Sequence, residues 1–163
     1  MTTKGDFSED EWATLVRSPM VAGAAITLAD PGGPIEVVKE TSAVLKFATS
    51  SSSEQRDDLV GELAREVRGL AEQRKNPLGD FKPRGALAGK EIVDETARAN
   101  EIVSAKASPE ETDAFRAWIM ECAQRAADAA KEGGFMGFHA ERVSQGEKDM
   151  LAQLRSALSM SGA

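Results

Sequence analysis

The sequence predicts an all-α fold, and three observations carry the prediction. The strong helix formers Ala, Leu, Glu, Lys, Arg and Met are abundant, while aromatic residues make up 5% of the chain and Tyr is absent. Val, Ile, Thr and the aromatics never alternate with polar residues in the way a half-buried strand requires. Helix starts recur: Ser8-Glu9-Asp10-Glu11, Ser108-Pro109-Glu110-Glu111 and Ser144-Gln145-Gly146-Glu147 each set Ser at an N-cap and Glu three positions on. In that box each side chain satisfies a backbone N–H that the helix leaves unpaired. With 163 residues and 41% hydrophobic content, the chain suffices for one domain with a substantial core. The expected architecture is a single-domain bundle of six to seven helices around a short, buried central helix.

Residues 1–7 read as a flexible lead-in, and the first helix runs to about Arg17 with Trp12, Leu15 and Val16 inward. Ser18-Pro19 should break it, because a residue before proline is pushed out of the α region. The central helix then starts with Ser18 as N-cap and Pro19 at the first helical position. Ser18 through Ala29 carries no charge in a chain that is 29% charged, so this helix is expected to be buried on every side. A helix of about 11 residues is too short to span a bilayer. Asp30-Pro31-Gly32-Gly33-Pro34 stops it.

A third helix is expected over 34–48, with Ile35, Val38, Leu45 and Ala48 as its stripe, widened by Val37, Val44 and Phe47. Ser51-Ser52-Ser53-Glu54 opens a fourth, to about Lys75, whose Leu59, Leu63, Val67 and Leu70 share one face. Two prolines and two glycines over Asn76–Gly85 mark a mid-chain loop, 76–86, between helical halves. The fifth helix, over about 86–106, faces inward through Ile92, Thr96, Ala99 and Val103. The sixth, from Ser108 to about Lys131, does so through Phe115, Trp118, Ile119, Cys122, Ala123 and Ala126. Helices four to six are expected to form the outer wall, with the last helix buried through Met150, Leu151, Leu154, Ala157 and Leu158. Residues 161–163 are a tail. The helix–Gly-Gly–helix pattern of 24–45 returns over 126–154, either as a pseudo-twofold repeat or by chance.

A formal net charge of −7 argues against non-specific binding to nucleic acid or to an anionic membrane. Cys122 is the single cysteine, which suits a reducing compartment, and 1–7 leads into no apolar signal core. The expected location is the cytoplasm, with neither a membrane nor nucleic acid as partner. The basic stretch from Arg74 to Lys90 holds one aromatic, Phe81, too few for a base-stacking platform, and reads as a tether.

Leu28-Ala29-Asp30-Pro31-Gly32-Gly33-Pro34-Ile35 and the stretch from Gly137 to Leu151 resemble the tellurite-resistance TerB-like helical domains. Those carry an Ala-Asp-Gly turn, then an apolar residue, then an acidic residue early in the next helix, once in each half. Ala29-Asp30, Ile35 and Glu36 correspond to the first copy, and Val143-Ser144-Gln145-Gly146-Glu147 to the end of the second. The Pro31-Gly32-Gly33-Pro34 insertion and the missing second Asp depart from the pattern. The resemblance implies an all-α bundle with acidic metal sites and a stress-linked role.

No catalytic constellation is visible, and the chain is expected not to be an enzyme. His139 is the only histidine, and Cys122, within an apolar stripe, reads as a buried small hydrophobe. Gly133-Gly134-Phe135-Met136-Gly137-Phe138-His139 is glycine-rich without the Lys-Ser/Thr of a phosphate-binding loop. Its apolar side chains either plug one end of the bundle or form a contact surface. The expected function is a protein-interaction module that uses this 133–140 loop, with Phe135, Met136, Phe138 and His139 meeting a protein partner or a second copy. The alternative is a bundle that binds a small ligand or a divalent metal. Asp128, Glu132, His139 and Glu141, or Asp30, would then be ligands, the first two sharing a helix face. No other cofactor is expected.

Overall fold

The computed structural model of the chain describes residues 1–30, 34–131 and 143–159, with side chains described outside 34–36 and 131. The described residues form helices and connecting turns, with no strand among them. A 3₁₀ turn, Lys4–Asp6, precedes α1 (Glu9–Ala29) and α2 (Pro34–Ala48). A single turn α3 (Ser51–Glu54) leads to α4 (Leu59–Glu72). A second 3₁₀ turn, Gly85–Leu87, runs into α5 (Ala88–Lys106), followed by α6 (Pro109–Lys131) and α7 (Gln145–Ala157). Three predicted capping boxes form as read. The hydroxyls of Ser8, Ser108 and Ser144 each accept from the backbone N–H of the glutamate three positions on, at 3.2 Å.

The expected break at Ser18-Pro19 does not occur. α1 is one helix of 21 residues with Pro19 inside it. The Ser18 hydroxyl donates back to the Thr14 carbonyl at 2.8 Å instead of capping a new helix. Proline in a helix interior costs about 3 kcal/mol, through the lost N–H and a clash with the preceding turn. Burial offsets it: Leu15, Val16, Met20, Val21, Ala25 and Ile26 around Pro19 all lie in the core. The charge-free stretch is therefore the second half of a longer helix, buried as far as Ile26 except at the half-buried Ala24, and it is not buried on every side, since Leu28 near its end is exposed. By length and composition α1 is long enough and apolar enough to cross a membrane, and 67% of its most apolar 18-residue window is buried inside the bundle.

Side-chain pairs fix the helix directions. Thr27 meets Glu40, and a Cβ on Gly23 would come within 2.7 Å of Val44, so α2 runs antiparallel to α1. Arg17 pairs with Glu95 at 3.5 Å and Lys106 with Glu11 at 2.6 Å, so α5 is also antiparallel to α1. Glu111 at the start of α6 holds the Thr2 backbone and hydroxyl at 2.9 and 2.7 Å, so α6 starts beside the start of α1. α6 packs against α1, α2, α4, α5 and α7, and its Phe115, Ile119, Cys122, Ala123 and Ala126 are fully buried. It shares the centre with α1 and is not part of an outer wall. The reason lies in its second half, where Ala123, Ala126 and Ala127 let neighbours approach closely.

Two other expectations shift. The buried stripe of α2 is Glu40, Val44 and Ala48, while Val37 and Val38 face solvent at 38% and 63% exposure. The fourth helix divides: α3 ends at Glu54, and Asp58 caps α4 through the Gly61 N–H at 3.1 Å. α4 ends at Glu72, where Arg74 takes a left-handed φ of 56°. The Lys75 N–H then bonds the Leu70 carbonyl and the Arg74 N–H the Ala71 carbonyl, both at 2.9 Å.

Candidate functional site: one end of the bundle

At one end of the bundle α1 finishes while α2, α5 and α7 begin. The directions above place α2 and α5 antiparallel to α1, and a Cβ on Gly146 in α7 would lie 2.7 Å from the Ala29 carbonyl. A Cβ on Gly89, in the first turn of α5, would touch Leu28 at 3.7 Å. Among the described residues the exposed large hydrophobics are Met1, Leu28, Val37, Val38 and Leu87, and all but Met1 sit at this end. Leu28 is the penultimate residue of α1, Val37 and Val38 are the fourth and fifth residues of α2, and Leu87 stands just before α5. Exposed apolar side chains gathered from three elements differ from the single exposed leucine that any surface carries. Segment 132–142 joins α6 to α7, whose start is at this same end.

The expected contact residues Phe135, Met136, Phe138 and His139 lie outside the described residues, as do Glu132 and Glu141. Asp30 caps α1 at this end, exposed, its N–H donating to the Ile26 carbonyl at 3.3 Å. Asp128 is on the outer face of α6, where it accepts from Gln124 Nε2 at 3.0 Å. It borders a shallow groove against α2 together with the cations Lys46 and Arg125. Among the described residues no three His, Cys, Asp or Glu side chains group closely enough to hold a metal ion. Cys122 is fully buried in α6, and burial pushes its thiol well above the ordinary range.

Two features escaped the sequence reading. Glu40 is only 2% exposed, and its carboxylate accepts a short hydrogen bond from the Thr27 hydroxyl. Its position four residues before Val44 and eight before Ala48 is the signal that places it on the buried stripe. The second is a groove of about 750 Å³ between the first half of α1, the end of α4 and the 75–80 loop. It is assembled from three separate stretches, so no local pattern announces it. Phe81, in the basic stretch read as a tether, packs under the Arg17 guanidinium, whose carbon lies 6.0 Å from the ring centre.

No protein-family model, no curated protein and no solved structure matches the chain.

Proposed function

We propose that the protein is a protein-interaction module whose contact surface is the end of the bundle carrying Leu28, Val37, Val38 and Leu87, together with the 133–140 loop joined to it. One observation supports the reading: four of the five exposed large hydrophobics among the described residues share that end. Each side chain of this kind contributes about 1.5–3 kcal/mol when fully covered. A protein surface that covers them gains that energy, and interface cores are enriched in such anchors. The likeness of Ala29-Asp30 to the TerB-like turn adds a stress-linked setting to the proposal.

The test uses two double variants, Val38→Glu with Leu87→Glu and Phe135→Ser with Phe138→Ser. Each is purified under gentle conditions from its own cells beside the unaltered chain. Val38 and Leu87 are 63% and 64% exposed, so charge there leaves the core intact and helicity by circular dichroism unchanged. The expected result is a stoichiometric partner, or a second copy, with the unaltered chain and its loss from both variants. Equal retention by all three preparations would overturn the proposal.

A further inference from the structure

The groove beside α1 is remote from the proposed contact end, since it lies along the first half of α1. Its floor is apolar: Phe7, Trp12 and Val16 are at least nine-tenths buried, and Leu70 and Leu78 close the sides. A volume of about 750 Å³ falls within the range of small-molecule sites. The charges around it decide what chemistry it favours. Lys4 is paired with Glu66 at 3.0 Å and Arg17 with Glu95 at 3.5 Å, so neither offers a free positive charge. Glu9, Asp10 and Asp80 line the groove and make no ion pair with a described residue, against Lys75 as the one such cation. The helix start of α1 contributes about half a positive charge, less than Glu9 and Asp10 together. The groove is therefore apolar below and negative at its rim.

One ammonium of the chain itself already lies against the groove. Lys4 Nζ lies 5.7 Å from the Trp12 ring centre, over the aromatic wall of this groove. A ligand's ammonium is therefore left to the carboxylates of the rim, which make no ion pair with a described residue.

We infer that this groove binds a small apolar amine, its ring or chain body on the Phe7, Trp12 and Val16 floor and its ammonium toward Asp10 and Asp80. An anionic counterpart of the same shape meets the net negative rim and binds more weakly. The inference does not depend on the contact surface proposed above.

The test is isothermal titration of the full chain with naphthylmethylamine, naphthylmethanol and naphthoate, which share one apolar body and differ in charge. The expected result is saturable binding in the order amine, then alcohol, then naphthoate. Asp10→Asn and Asp80→Asn should each weaken amine binding about threefold, the effect of one exposed charge pair. Trp12 is a core residue, so its replacement would confound folding with binding. Ala13→Trp serves instead, because Ala13 is exposed and lines the groove, and this change should abolish amine binding with helicity retained. Equal binding of amine and naphthoate, no saturable heat from the amine, or undiminished binding to Ala13→Trp would each overturn the inference.

Discussion

Arg74 holds a backbone conformation that its side chain disfavours. Its φ of 56° places it in the left-handed region at the position after the α4 C-cap, which glycine usually occupies. The clash of its Cβ with the following carbonyl costs about 1–2 kcal/mol. Glycine there would relieve that strain and lose about 0.4–1 kcal/mol to a freer unfolded chain. Arg74→Gly should therefore stabilise the protein by about 0.5–1 kcal/mol, read as a higher urea midpoint at unchanged slope. Glu40 shows the opposite balance. Its side chain is only 2% exposed, and the Thr27 hydroxyl donates to it across the α1–α2 contact, one of the interactions that a buried acid requires.

The element boundaries follow local chemistry wherever one residue decides them. Ser8, Ser108 and Ser144 cap as read because the cap and its glutamate lie within one turn, and nothing distant has to agree. Ser18-Pro19 misleads because its local signal, which disfavours a helix interior, is outweighed by packing that no local pattern displays. Tertiary packing around Leu15, Val21 and Ile26 chose continuity, and that packing is spread over the whole chain. The α2 stripe is misread for a related reason. Val37 and Val38 are apolar, so hydropathy alone turns the helix toward them, while the close approach of Gly23 to Val44 sets the true rotation.

The start of α6 also carries a pH dependence. Burial of the Glu111 carboxyl raises its proton affinity, but hydrogen bonds from Thr2 and from the Ser108 N–H outweigh this and hold it below the ordinary value. Its folded pKa is depressed, so the native state binds fewer protons than the unfolded chain as pH falls. This contribution is fully present above the ordinary carboxylate range and is lost as pH falls through the depressed folded value. Asp58 behaves alike: burial raises it, and Arg56 and the Gly61 N–H lower it further than burial lifts it. Melting temperature should fall as pH drops below the ordinary carboxylate range, and Glu111→Gln should flatten part of that fall. A variant whose melting temperature tracks pH as steeply as the unaltered chain would remove Glu111 from this account.

At the scale of the whole molecule, α1 and α6 form a shared centre and the other helices are arranged around them. That arrangement brings the start of α2, the start of α5 and the end of α1 together, and so gathers Leu28, Val37, Val38 and Leu87 at one end. The sequence pointed to an apolar loop, 133–140, but not to these four side chains, which are separated by up to 59 positions along the chain. Their placement at one end is a property of the fold, since helix directions are set by pairs such as Arg17–Glu95 and Thr27–Glu40. The all-α class, by contrast, was legible from composition and capping because helices are specified locally.

The most direct test of the contact surface is site-specific photocrosslinking in living cells. A photoreactive phenylalanine analogue replaces Val38, Leu87 or Glu110, the last being an exposed residue at the opposite end, where α6 starts. One discrete higher-mass adduct is expected from Val38 and Leu87 and none from Glu110. No adduct from Val38 and Leu87, or adducts of equal yield from all three positions, would contradict it.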